Sequence, residues 1–507
     1  MKILLISVEN TLVCFGVRMI SAVLKREGYD VQILFIPKEF DQLESERELM
    51  DISEWVVEKK PDLIGFSLMS SHWRRAVSIH EAIRKICKAP VIWGGIHPTL
   101  APEECLDYAD MVCIGEGEKP MSALVKAMSA GESFMSIPGI WVRTAKGEII
   151  RNPPADREDN LSDLPFPDHD SDTHTVFHAK RMQAVSKAIW RSYIPGFMDT
   201  HYVMSSRGCP HNCTYCCNSA LRIVAGGPYL RRRSPEHFVD EMILIKKRFP
   251  DLKGFVFMDD SFFYGDREWF ASFSELYKKH VGLPFYCWAN PVAVTRERIE
   301  RLVPAGLVGV HVGLESGSPR VSEEVYQRKV SHKQFFECMT ILHEYRKQIV
   351  DVRVDVITDN PYETEEESAE TVRVLSYLKK PFFVGIVSLI FYPKTSLEER
   401  AVADGLVSEG NDKLYNEEFF RYQPTLLNRL MRAVPKTPGT VIRFILDNRG
   451  SIWGKSLFFL VYWGYFVGIR RTAWKLRRAV TLWWLKHFEK WIDPNKVVTT
   501  RVSLIDF

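Results

Sequence analysis

Little in this chain of 507 residues would cross a membrane. Its uncharged run at 456–469 is fourteen residues long, against the ~20 that span a bilayer as a helix. The start, Met-Lys-Ile-Leu-Leu-Ile-Ser-Val, is too short and too quickly polar for the apolar core of a secretion signal, and reads as a first buried strand. Ten cysteines in so long a chain, with no such signal, speak against a disulfide scaffold and for a reducing, cytoplasmic setting. No Gly-x-Gly-x-x-Gly follows the first strand, which argues against a dinucleotide. Acids are scarce in one region only. Residues 421–490 hold fourteen Lys and Arg against Asp447 and Glu489, although the whole chain is only +3. The surplus of twelve is therefore local and the remainder is net acidic, which excludes general nucleic-acid affinity of the main body.

What is present is strand–helix alternation, in a length that suits about three domains. Over 1–140, strand-like runs at 3–8, 31–36, 63–67, 91–93 and 111–114 are separated by amphipathic stretches such as 17–26 and 76–87. This spacing predicts an α/β unit with a Rossmann-like, doubly wound parallel sheet and ligands at the strands' carboxyl ends. Those ends carry Ser67, Gly94-Gly95-Ile96-His97-Pro98 and Gly115-Glu116-Gly117-Glu118, where small residues let a large flat ligand approach the backbone. Residues 141–200 are rich in turns and acids, with Leu164-Pro-Phe-Pro-Asp-His-Asp as a rigid segment, and read as a linker. His169, His174 and His178 stand there at near-helical spacing, but with no additional soft ligand they do not read as a metal site. From 201 to 395, runs at 202–206, 254–258, 285–289, 309–314, 352–357 and 384–391 predict six βα units, hence a partial (β/α)6 barrel with chemistry at its strand ends.

The most specific stretch follows the first strand of that barrel. It reads Arg-Gly-Cys-Pro-His-Asn-Cys-Thr-Tyr-Cys-Cys-Asn and places Cys209, Cys213 and Cys216 at steps of four and three. Thiolate-only ligation selects zinc or an iron–sulfur cluster. Structural zinc wants four ligands, usually in two pairs, and no second Cys or Cys/His pair follows. A [4Fe-4S] cluster on three cysteines keeps one iron open for a substrate. Cys217 is read as a bystander and His211 as a loop residue. The stretch resembles the radical S-adenosylmethionine (SAM) loop, Cys-x3-Cys-x-aromatic-Cys, with Tyr215 in the aromatic slot.

The glycine motifs of the first domain, together with Pro102-Glu-Glu, resemble the cobalamin-binding (B12-binding) domain that precedes many radical SAM domains. This resemblance implies cobalamin contacts at Ser67, Gly94, Gly95, Gly115 and Glu116. No Asp-x-His-x-x-Gly occurs, so it implies no histidine on cobalt. In the second domain it implies SAM contacts at Asp259 and Asp260, which end the second strand, and at Glu315 for the ribose. Asp359-Asn-Pro-Tyr-Glu-Thr departs from the Gly-x-Pro-Gly-Glu-Thr of many relatives, and Asn290 stands where they often have Arg. The implied activity is a cobalamin-dependent radical SAM methyltransferase acting at an unactivated carbon, through a 5′-deoxyadenosyl radical and methylcobalamin. No side chain is nominated as a general acid or base. An electron donor such as flavodoxin or ferredoxin is implied, with a small-molecule or lipid-like substrate. The rivals are a cobalamin-dependent cyclase or rearrangement enzyme and a cobalamin- or redox-sensing binding protein.

Residues 396–507 form a basic, aromatic-rich, helical C-terminal region. Within it, 470–491 place Ala473, Leu476, Val480, Trp483, Trp484, Phe488 and Trp491 opposite Arg471, Lys475, Arg478 and Lys486. Two readings stand equal: peripheral membrane contact through 456–491, or a terminal helix docked over the active-site mouth.

Overall fold

The computed structural model describes residues 1–39, 42–170, 173–193, 199–226, 230–407 and 421–462. The first apolar runs form β1 (Lys2–Ser7), β2 (Asp30–Phe35), β3 (Leu63–Ser67), β4 (Val91–Gly94) and β5 (Met111–Cys113). All five pair in parallel, in the order β5-β4-β3-β1-β2. Both faces are covered: Leu4, Ile6, Ile64 and Trp93 pack on one side, Ile3, Leu5, Ile33 and Ile92 on the other. That is why these strands read as continuous apolar runs rather than as an alternation. The register sets Ser7 beside Ser67 and Ser67 beside Gly94. Three carboxyl ends therefore finish level where the strand order reverses, the usual place for a ligand in such a sheet.

Residues 141–200 are not a bare linker, and that expectation is corrected. The strands β6 (Ile140–Arg143) and β7 (Ile149–Ile150) extend the sheet antiparallel beyond β5. At the other edge β8 (Thr175–His178) runs parallel to β2, and β9 (Arg181–Ala184) turns back along it. Strands this short show no readable period. They are held because they cover the two open edges of the sheet. The histidines here share no helix face: His178 lies on β8, His169 bonds Glu241 at 2.8 Å, and His174 meets Asp168 at 3.2 Å.

The second sheet holds β10 (Thr200–Val203), β13 (Gly254–Phe257), β14 (Phe285–Ala289), β15 (Leu307–Glu315), β16 (Asp351–Thr358) and β17 (Phe383–Ser388), all parallel and in that order. Its outer face packs Phe257 and Phe285 against Phe238 and Phe273 of the surrounding helices. The run expected as one strand at 202–206 breaks. Ser206–Arg207 form β11 and pair instead with β12 (Arg231–Arg232), an antiparallel ribbon that brackets the three-cysteine loop. Two further helices, Leu426–Ala433 and Gly439–Asp447, send Leu430, Met431, Ile442 and Ile445 into the same core. The last described helix, Ile452–Tyr462, leaves Ile452, Trp453, Phe459 and Leu460 exposed. Half of the run at 456–469 and all of the basic stretch 470–491 lie outside the described residues. Among the described residues no helix is long and apolar enough to cross a membrane.

One charged group ties the former linker to the barrel. Glu241, with no exposed surface, accepts from Arg233 and from His169. Burial opposes its charge, but Arg233 and His169 outweigh this and hold the carboxyl down to about 2. Its stabilisation is thus fully present above the ordinary value of about 4.5 and is lost as pH falls through about 2. A displacement of this size corresponds to about 3 kcal/mol. Glu241→Gln should lower stability by that order at neutral pH and flatten the acid limb, as read by urea unfolding at several pH values. An unchanged acid limb would contradict this.

Candidate functional site

The three-cysteine loop leaves β11 at Gly208, whose φ of +85° suits glycine. It ends where Cys216 caps the helix Cys217–Ala225. Arg222 of that helix reaches back to the carbonyls of Cys209 and His211, at 2.5 and 3.0 Å. Thr214 donates its amide to the Tyr326 carbonyl (3.0 Å) and its hydroxyl to the Val325 carbonyl (2.5 Å). His211 contacts the Tyr264 hydroxyl at 2.6 Å, as a loop residue rather than a ligand. Burial raises the Cys209 and Cys213 thiols, and the nearness of Cys216 adds to it. None of the three is in a disulfide. Among the described residues, no three His, Cys, Asp or Glu side chains converge on one ion-sized point. Three unoxidised thiols on one loop are a donor set that a [4Fe-4S] cluster accepts, one cysteine to each of three irons.

The two acids after β13 have different surroundings. Asp259 is buried and accepts from the Ser205 amide (3.1 Å), the Ser205 hydroxyl (2.5 Å) and the Ser206 hydroxyl. Its carboxylate is thus engaged inside the protein, at the break between β10 and β11, and does not line the cavity that Asp260 faces. Asp260 is exposed, lines the large cavity, and is oriented by the Asn218 side chain and the Gly208 amide. At the end of β15 a register shift brings Glu315 to a φ of +66°, a strained conformation of the kind that collects at functional sites. Its carboxylate lies 3.6 Å from Arg328 and faces Tyr215, whose ring packs on Tyr326 with centroids 4.8 Å apart. Burial pushes Glu315 up to about 7 despite Arg328. Asn290 caps the turn that follows it, and Thr364 caps the helix Glu365–Ser376.

A cavity of about 420 Å³ opens between the two sheets' strand ends. From the first domain it is lined by Ser67, Gly94, Gly95, Gly115 and Glu116, all five of the residues the sequence reading assigned to cobalamin. Gly95, at φ +107°, has no room for a side chain, because a Cβ would meet the Leu68 carbonyl at 2.8 Å. Thr99 ties the two glycine loops together, donating to the Gly95 carbonyl (2.7 Å) and accepting from the Gly115 amide (3.0 Å). Opposite lie Arg207, Gly208, Cys217, Asn218 and Asp260. Cys217 therefore faces this cavity while its neighbour Cys216 does not line it. Glu116 departs from the expectation in one respect, since its carboxylate is turned to Arg231 and Arg207.

Two histidines stand near this space. His97 is fully buried behind the cradle, 3.1 Å from the Ser70 hydroxyl and packed on Trp73, and burial lowers it to about 4. His237, which the sequence reading did not single out, does line the cavity. Its Nδ1 accepts from Arg233 at 2.8 Å and the ring also bonds the Leu164 carbonyl. Arg328 was missed too, as nothing in its sequence neighbourhood distinguishes it. Inside the barrel, His311 stands 3.6 Å from Asp355 and 4.8 Å from the Trp288 ring. A signal for these existed: Asp351-Val-Arg-Val-Asp355 carries charge at every second position, which turns the charges to one face of the strand.

Comparison with known proteins places the two halves. Residues 1–125 match the B12 binding domain, and residues 203–375 match the Radical SAM superfamily. The chain is 26% identical over 452 residues to an uncharacterized methyltransferase of Pyrococcus horikoshii, covering 86% of this chain and 91% of that one. It is 25% identical to the cytidylyl-2-hydroxyethylphosphonate methyltransferase of Streptomyces wedmorensis, over 62% of this chain and 64% of the relative. The fold matches that of the radical SAM methyltransferase TsrM of Kitasatospora setae, solved with cobalamin and a [4Fe-4S] cluster, with a TM-score of 0.61 at 18% identity over 80% of this chain and 75% of that one.

Replacing Cys209, Cys213 or Cys216 by Ala should abolish iron-dependent absorbance, whereas Cys217→Ala should keep it. A full cluster spectrum in Cys213→Ala would contradict the ligand set. Asp260→Asn should weaken SAM binding about ten-fold, as expected for one hydrogen bond to a charged group of about 1.5 kcal/mol. Asp259→Asn should instead lower the unfolding temperature, and the reverse pattern would exchange their roles.

Proposed function

The chain belongs to the radical SAM enzymes that carry a B12-binding domain, and from that premise we propose that it methylates an unactivated carbon of a small or lipid-like substrate. One observation carries this reading: the glycine cradle of the first domain and the Asp260 side of the second line the same cavity. A shared space permits two cofactors to act on one substrate atom, and positioning is the protein's main share in such chemistry. Bound there, the cluster with SAM supplies a hydrogen-abstracting radical and cobalamin a transferable methyl group, chemistry that no side chain provides.

The residues have these parts. Cys209, Cys213 and Cys216 would hold the cluster. Asp260, fixed by Asn218, would take the amino group of SAM, and Glu315 with Tyr215 would lie on its ribose side. Gly94, Gly95 and Gly115 would admit the corrin close to backbone, while the burial of His97 and the bonds made by His237 leave neither ring on offer to cobalt. Phe15, Ile20, Leu161 and Leu164 line the same cavity and exclude water from it. No proton transfer is required of any side chain. Reduction would come from a flavodoxin or ferredoxin.

Anaerobically loaded protein, given cell extract and SAM with a trideuteromethyl group, should release 5′-deoxyadenosine and transfer the label to a product. 5′-Deoxyadenosine with an unlabelled, rearranged product would favour cyclase chemistry. No 5′-deoxyadenosine at all would remove the enzyme reading.

Peripheral contact with an anionic membrane is also proposed. Its support is the exposed apolar face of Ile452–Tyr462, with Lys455 on it, joined to the basic surplus of 421–490. Each basic residue near such a surface contributes about 1 kcal/mol, within a Debye length. The protein should co-sediment with anionic vesicles at low salt, and Trp453→Asp with Phe459→Asp should release it. Equal sedimentation with neutral vesicles, or none, would overturn this.

A further inference from the structure

Glu116 sits on the loop that leaves β5 and Glu118 opens the helix that follows it, Glu118–Ala130, and both line the cavity. Arg207 stands two residues before Cys209, and its ribbon partner across β11 and β12 is Arg231. These four side chains close on one another across the domain boundary. Arg207 spans both carboxylates, at 2.6 Å to Glu118 and 3.3 Å to Glu116. Arg231 takes Glu116 through both of its terminal nitrogens and also donates to the Glu158 carbonyl.

The four charges balance, with Arg157 as a further cation near Glu116, and the group is largely enclosed: Glu118 is 7% exposed and Arg231 9%. An enclosed ion-pair group is a poor glue. Desolvation cancels much of its attraction, and an apolar patch of the same size would join two domains as well or better. What it does provide is geometry, because a bidentate guanidinium fixes direction as well as distance. The two backbones it fixes are those that carry the two cofactors. Gly115 adjoins Glu116 in the cobalamin cradle, and Arg207 precedes the cluster loop by a single glycine.

We infer that Glu116, Glu118, Arg207 and Arg231 form a clasp that couples the two cofactor sites, so that ordering the cluster loop organises the cobalamin loop and the reverse. Such a coupling is reciprocal by thermodynamic necessity, and couplings between sites range from about five-fold to 150-fold in affinity. It rests on the cofactor assignment but not on methyl transfer. The four are positioning residues and touch no reacting atom.

The test uses the full-length protein under anaerobic conditions and needs no substrate. Hydroxocobalamin is titrated into cluster-loaded and cluster-free protein, and bound cobalamin is read by its absorbance after gel filtration. Cluster-loaded protein should bind it at least about five-fold more tightly. In Glu118→Gln and in Arg207→Met the two forms should bind within about two-fold of each other, and Glu118→Arg combined with Arg207→Glu should restore the difference. Circular dichroism and cluster absorbance show whether each variant folds and loads, and Glu118→Gln, nearly isosteric, serves if Arg207→Met does not. Equal affinities of the two wild-type forms, or a difference that survives in Glu118→Gln, would overturn the inference. Failure of the labelled-methyl experiment would leave it untouched, so the two claims fall separately.

Discussion

The governing constraint is that two parallel sheets present their strand ends to one space. A parallel sheet gathers its loops at the carboxyl edge, and there β1, β3 and β4 end level while β11 and β13 deliver Arg207, Gly208 and Asp260 from the other side. Neither domain encloses the cavity alone. Contacts between the halves therefore help to shape it, and residues 141–200 contribute Leu161 and Leu164 to its lining.

Electrostatics divides the labour among acids that look alike in sequence. Asp259 and Asp260 are adjacent, yet the first is surrounded by three donors inside the protein and the second faces the cavity. Glu241 is shut away from water and Glu315 is mostly buried. Glu315 is pushed up because burial dominates, and Glu241 is driven down because Arg233 and His169 both point at it. Burial alone predicts the first shift but not the second. What decides is the count of donors aimed at each oxygen, and that count belongs to the three-dimensional structure.

This is also why the chain was legible in some respects and opaque in others. The strands of the first sheet and the barrel were readable because each is buried on both faces or alternates regularly, and the cluster loop because its three cysteines stand at a spacing few other sites share. The glycine cradle was readable because only glycine tolerates the backbone at Gly95. By contrast β6 to β9 are too short to carry a period, and their pairing is dictated by the open edges of a sheet formed elsewhere. Arg328, His237 and the Glu116 ion pairs were hidden for a related reason: each acquires its meaning from a partner more than seventy residues away or on another element. The lumen charges at Asp351, Arg353 and Asp355 were available to a period-two reading of β16.

Spatial closeness of the two cofactors is the central claim, and it can be measured without knowing the substrate. Protein loaded with both Co(II) cobalamin and the reduced cluster should give an electron paramagnetic resonance spectrum in which each signal is broadened or split by the other, relative to the singly loaded forms. A spectrum equal to the sum of the two singly loaded ones would mean that the centres do not share a cavity, and would contradict the account.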